Sequence, residues 1–258
     1  MQALTLPARR GWRWLFDGFL IFRKNHLMLS LIVLSYWMLM AVVNAVPVIG
    51  QIVVTLCLPF FSVSLMNACR LIDQRSTLSP RILLSGFYEN PRALLILGVI
   101  YLCATFGILA LSALIDDGVL FRFMVAGTLP DEQAQASGDY VGATKMGLLL
   151  FVPLMMAYWY APVLVAWHGL SAGKALFFSF VACVRNWRAF LAYVFAVVIF
   201  GAVVPAFVLG LLSSSLAAGN SVMSTFLTVL VVLVIAPAMY ASFYASYRDV
   251  FVVIDEDA

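Results

Sequence analysis

Charge is what this sequence has least of. Asp, Glu, Lys and Arg supply 10% of its 258 residues, against about 25% in soluble domains. That is too little polar side chain to clothe a water-soluble globule of this length. The scarcity is also uneven. From Asn25 to Cys69 the chain runs for 45 residues without one of the four, room for two bilayer crossings at roughly 20 residues each. Metal and phosphate signatures are missing as well: there is no HExxH, P-loop or GxGxxG, and so none of the chemistry those patterns carry. The four cysteines, Cys57, Cys69, Cys103 and Cys183, lack CxxC spacing and read as small packed hydrophobes rather than metal ligands or disulfide partners. The two histidines, His26 and His168, read as polar residues at a membrane edge rather than a shared metal or haem site. No cofactor is expected.

What is present is apolar and segmented. Windows at 27–46, 48–69, 94–115, 146–167, 189–212 and 225–247 each suffice to cross a bilayer. In hydrocarbon every backbone group must bond internally, and the alternation of barrel strands is absent, so the windows are helices. The net charge of +3 comes without a Lys/Arg cluster clear of an apolar span; it is a signature of topology, not of nucleic-acid binding. Arg9, Arg10, Arg13, Arg23 and Lys24 precede the first span. Arg70, Arg75, Arg81 and Arg92 lie between the second and third, Lys174, Arg185 and Arg188 between the fourth and fifth, and Arg248 in the tail. Only Arg122 and Lys145 of the fifteen cations fall on the other side, in a loop spanning 116–145 with Asp116, Asp117, Asp131, Glu132 and Asp139. Under the positive-inside rule both termini are cytoplasmic, the 116–145 loop is periplasmic and the number of spans is even. Asp116 and Asp117 read as a solvated outer loop end. Arg9–Lys24 followed by Leu27–Val43 has the outline of a signal peptide, but the basic stretch is too long and too aromatic, and it reads as retained structure.

The chain also repeats itself. Three units, about 9–70, 79–168 and 171–248, each read as an amphipathic helix, an Asn and a hairpin of two spans. In the first, Trp12, Leu15, Phe16, Phe19 and Leu20 oppose Arg10, Arg13, Asp17 and Lys24, and Asn25 follows. Asn90-Pro91-Arg92-Ala93-Leu94 in the second matches Asn186-Trp187-Arg188-Ala189-Phe190 in the third. Residues 9–24, 80–89 and 172–185 are too charged or too short to cross and are expected to lie in the cytoplasmic interface, with each Asn capping the span that follows. The fold expected is all-α: a single integral membrane domain over 1–258, six transmembrane helices as three hairpins with a pseudo-threefold repeat, and three interfacial amphipathic helices. These three units, opening with Pro7-Ala8-Arg9-Arg10-Gly11-Trp12 and the aromatic run to Phe22, resemble a family of uncharacterised proteobacterial inner-membrane proteins. The resemblance implies the fold and the location and brings no established activity.

No ionisable residue sits in the central portion of a span, which argues against proton-coupled transport and leaves sodium sites of carbonyls and hydroxyls open. Asn44, Gln51, Thr55, Asn67, Thr105 and Ser112 read as hydrogen-bonding groups between helices. The densest aromatic signal is Tyr158-Trp159-Tyr160 together with Tyr240, Phe243, Tyr244 and Tyr247. Such residues anchor membrane interfaces. They also define a candidate amphiphile site, in which Tyr158, Tyr160, Tyr240 and Tyr244 wall a chain and Arg70, Arg185, Arg188 and Arg248 hold a phosphate or carboxylate head. Two functions follow: a non-enzymatic protein that organises a membrane assembly or handles lipid at the inner leaflet, or a transporter or channel-like protein for a small or amphiphilic solute. Membrane lipids are the expected partners, with another membrane protein complex as a further one; nucleic acid is not.

Overall fold

A computed structural model describes residues 2–129, 137–207, 210 and 221–252. Apart from a two-residue antiparallel pairing of β1 (Gln2–Ala3) with β2 (Phe251–Val252), its regular structure is helical. In order come α1 (Arg9–Lys24), α2 (His26–Asn44), α3 (Ile49–Asp73), a 3-10 segment (Pro80–Tyr88), α4 (Pro91–Asp116), α5 (Val119–Ala126), α6 (Gly138–Tyr158), α7 (Ala161–His168), α8 (Ala172–Arg185), α9 (Trp187–Val198) and α10 (Ser221–Val250). Five described helical stretches are long and apolar enough to cross a membrane: His26–Asn44, Ile49–Asp73, Pro91–Asp116, Gly138–His168 and Trp187–Phe207, the last continuing α9 through a π turn at Ile199–Val203. The sixth expected window, 225–247, falls in α10, a continuous helix of 30 residues that is not among those five. Buried residues make up only 11% of the apolar window in Trp187–Phe207 and 17% in Pro91–Asp116. Soluble proteins do not leave such surfaces bare, and hydrocarbon is the solvent they fit.

The chain packs as two compact units, one of Met1–Met38, Val63–Ser85 and Ala182–Ala258, the other of Leu39–Ser62 and Gly86–Val181. In the first, α1 lies directly on α9 and α10. Gly11 and Gly18, two turns apart on one face, make this possible: a Cβ at Gly11 would fall 2.1 Å from Ala189 O, and one at Gly18 would fall 2.3 Å from Ser242 N. Trp14 and Ile21 share that face and are buried, Trp14 meeting Phe190 and Tyr193 edge-on at 5.5 and 5.8 Å. Against α10, α2 places Ser30, whose hydroxyl donates to Leu233 O at 2.9 Å, and Tyr36, edge-on to Tyr240.

In the second unit α4 and α6 run antiparallel: Tyr158 hydroxyl, late in α6, donates to Leu97 O, early in α4, at 2.7 Å, while Gly142 and Ile115 meet at their other ends. Gly98 brings α4 against α3, where a Cβ would stand 2.6 Å from Leu56 O. The fourth expected span is broken at Trp159–Tyr160, just before Pro162. The break has a specific partner. Ser179 Oγ accepts from Tyr160 N–H and donates to Met156 O, both at 2.9 Å. A side-chain hydroxyl from α8 thus stands between the donor and acceptor that a regular helix would join directly.

The structure departs from expectation in three further ways. Residues 80–89 form a 3-10 helix over Pro80–Tyr88 rather than an α-helix. Pro91 disfavours the α conformation at Asn90, which is left-handed at φ 49°, and Phe87 stacks on Phe60 at 4.6 Å and meets Phe61 edge-on. The asparagines do not form a uniform set of caps. Asn25 Oδ1 accepts from Met28 N–H at 3.4 Å, whereas Asn90 and Asn186 make no side-chain cap bond. Finally, Asp116 is not a solvated loop end. It is buried, and its two oxygens accept from Gly118 N–H and Leu120 N–H at 3.1 and 2.7 Å, fixing the turn into α5.

Candidate functional site

Of the eight residues expected to form the amphiphile site, Tyr158 and Tyr160 belong to the second unit and Tyr240, Tyr244, Arg70, Arg185, Arg188 and Arg248 to the first. Most have other employment. Tyr160 is wholly buried and Tyr158 is bonded to Leu97 O with its ring 5.0 Å from Tyr101. Tyr240 bonds to Trp37 and Tyr244 is buried. Arg248 Nη1 is 2.5 Å from Asp73 Oδ2, and Lys24 Nζ is 2.5 Å from Asp73 Oδ1, so one carboxylate ties together the ends of α1, α3 and α10. Arg185 reaches Thr5 Oγ1 at 3.3 Å and Arg188 lies over the Trp187 ring.

Two polar constellations had no signal in composition or periodicity. Asp249 Oδ2 accepts from Arg10 Nε at 2.9 Å, from Arg10 Nη2 and from Trp14 Nε1 at 2.8 Å, binding α1 to α10. Asn186, 1% exposed, behaves as a piece of strand edge: its Oδ1 accepts from Leu6 N–H at 2.8 Å and its Nδ2 donates to Leu4 O at 2.8 Å and Ala182 O at 3.0 Å. Partners so far apart in sequence leave no periodic trace, and only the Asn186 match with Asn90 marked the position. In α8, burial pushes the Cys183 thiol up to about 12, which makes it an unreactive packing group.

Seating α1 this way leaves its opposite face bare. Trp12, Phe16, Phe19 and Leu20 are exposed, flanked by the exposed Arg9, Arg13 and Arg23. Likewise α8, held through Ser179, exposes Phe177, Phe178 and Phe180, with Lys174, Arg185, Trp187 and Arg188 at its ends. Each is an aromatic surface with cations at its border, the composition that suits a lipid headgroup region.

The chain is 34% identical to a probable inner membrane protein of Burkholderia thailandensis, in an alignment that covers 97% of this chain and 94% of that one. It belongs to the same family. This chain is therefore an integral membrane protein, consistent with its five long apolar helices. No family model matches it, and no solved structure does. Of the polar groups expected between helices in this inner-membrane protein, Asn67 bonds to Ser85 and Gln51 to Val125 O, whereas Thr55 and Ser112 bond to carbonyls of their own helices.

Proposed function

We propose that this is a non-enzymatic inner-membrane protein that organises lipid at the inner leaflet, with α10 as a sixth crossing, a threefold repeat and both termini in the cytoplasm. The carrying observation is the exposed aromatic and cationic face of α1, on a helix whose other side is held to α9 and α10 by glycine contacts and by Asp249. A helix fixed from behind presents its face at constant height to the bilayer, and its arginines favour anionic headgroups. Three contacts support the repeat. α1 seats on α10, the 3-10 segment on α3 through Asn67 and Ser85, and α8 on the break before α7. Each amphipathic segment then docks on the returning span of the unit before it, the first on the third.

Orientation is tested by cysteines at Ser137 and Ser76 in a background without native cysteines. The first should label with an impermeant maleimide in intact spheroplasts and the second should not; the reverse would overturn the topology. Function is tested by purifying the protein in mild detergent and measuring retained anionic lipid by mass spectrometry. Changing Arg9, Arg13 and Arg188 to Gln should reduce it, and an unchanged lipid profile would refute the reading. Arg248 is a poor probe, because its removal strips a cation from Asp73. The same purification identifies any partner membrane complex.

A second reading, a transporter or channel-like protein for a small or amphiphilic solute, is favoured by the break at Trp159–Tyr160, since discontinuous spans recur where transporters bind solute. Solute flux in proteoliposomes that responds to Ser179→Ala would support it over the first.

A further inference from the structure

The second unit contains a partly open cavity of about 610 Å³ among the start of α3, the middle of α4, α5 and the middle of α6. That volume falls within the range of small-molecule sites, roughly 300–1,000 Å³. Its described lining is apolar for the most part, including Phe106 and Phe151, and carries no Lys, Arg, His, Asp or Glu. Into this wall are set Asn44, Gln51 and Thr144. Thr144 Oγ1 is shut off from solvent and has no hydrogen-bond partner among the described residues, a state that costs about 1–3 kcal/mol unless something supplies the missing bond. These stretches lie in the half of the helices that the charge asymmetry assigns to the periplasmic side.

We propose that this cavity binds an uncharged amphiphile drawn from the outer half of the bilayer, with a hydroxyl or carbonyl oxygen as its head. The chemistry of the wall selects the class. A phosphate or carboxylate would lose its hydration with no cation in the described lining, a heavy penalty in a medium of low dielectric. A hydroxyl or carbonyl needs only one or two bonds, which Thr144 and the amides of Asn44 and Gln51 can give, while its chain lies along Phe106 and Phe151. The site is separate from the exposed faces of α1 and α8, and its failure would leave the inner-leaflet reading untouched.

The test uses the full-length protein in phosphatidylcholine nanodiscs, with a palmityl alcohol carrying a diazirine near its hydroxyl as the probe. After illumination, peptide mass spectrometry should find adducts concentrated on Leu120, Met124 and Leu148 that saturate with dose. Unlabelled alcohol and the methyl ketone of equal chain length should compete, and the phosphate monoester should not. Thr144→Val should weaken the saturable labelling about fivefold, the worth of one ordinary hydrogen bond. Gly147 lines the cavity with its nearest neighbour, Leu120 Cδ2, 3.8 Å from a built Cβ, so Gly147→Phe should fill the space and abolish saturation. Gly107→Phe, at a position with nothing within 4 Å, should not. Circular dichroism and monodisperse elution establish that each variant is folded. Adducts spread evenly over cavity residues and the exposed Leu114 and Leu149, unchanged by Gly147→Phe, would overturn the proposal, as would equal competition by the phosphate.

Discussion

The two units treat their polar groups in opposite ways. In the first, Asp249, Asp73 and Asn186 each gather two or three partners from elements distant in sequence, and glycines let α1 touch the backbones of its neighbours. In the second, α4 and α6 leave a void, and the buried hydroxyl of Thr144, a residue of its wall, has no partner among the described residues. The first spends its polar side chains on holding an amphipathic helix in place. The second keeps some in reserve, and surplus hydrogen-bonding capacity in an apolar wall is what a binding site requires and a packed bundle avoids.

The largest effect expected from breaking this contrast is at Gly18. Alanine is ordinarily the better helix former by about 1 kcal/mol, but here its Cβ meets Ser242 backbone atoms at 2.3 and 2.4 Å. Gly18→Ala should therefore destabilise the protein by about 3 kcal/mol in detergent thermal unfolding, since backbone atoms cannot step aside. Gly107→Ala in α4, with open space around it, should show no loss. Next comes Asp249→Asn, which keeps the size but removes the charge shared by Arg10 and Trp14. A cost of about 2 kcal/mol is expected from the partly buried guanidinium left without its counter-ion, and a double-mutant cycle with Arg10→Gln should recover most of it.

Ser179→Ala sharpens the comparison inside the second unit. It deletes the hydroxyl between Met156 O and Tyr160 N–H, at about 1 kcal/mol, and hydrogen exchange at the Tyr160 amide should rise. If exchange falls instead, the span has closed into a continuous helix. The smallest effect belongs to Asp73→Asn. Its partners Lys24 and Arg248 are 36% and 45% exposed, and ion pairs of that kind contribute about 0–1 kcal/mol. The melting shift should be small and should vanish in high salt.

Helix placement was legible because transfer free energy is local and additive. The windows 27–46 and 48–69 became His26–Asn44 and Ile49–Asp73, and residues 9–24 and 172–185 became helices with those same limits. The second amphipathic segment was legible as an element and not as a 3-10 helix, because its geometry follows from Pro91 together with two distant phenylalanines. Less of the site could be read. Tyr158 and Tyr160 were singled out as aromatic surface, yet one is bonded to Leu97 O and the other is wholly buried. Asp249 passed unnoticed beside Arg248, since a carboxylate at a helix end looks solvated until its partners are known. The cavity was invisible because it is a property of how α3 to α6 fit, not of any residue in them.

The seating of α1 also has a bearing on the order of synthesis. Arg10 and Asp249 are separated by 239 positions, so at translation rates of about 5–20 residues per second the ribosome needs roughly 10–50 s between making the two. For most of that interval α1 exists without α9, and for all of it without a complete α10, so its stripe of Gly11, Trp14 and Ile21 lacks its native cover. Its exposed aromatics and arginines meanwhile suit it to rest on the membrane surface until α10 is made. Helix α1, made well before α9 and α10, is thus among the last elements to reach its native place, and a chain that stops short of Asp249 would lack the residue that fastens it there.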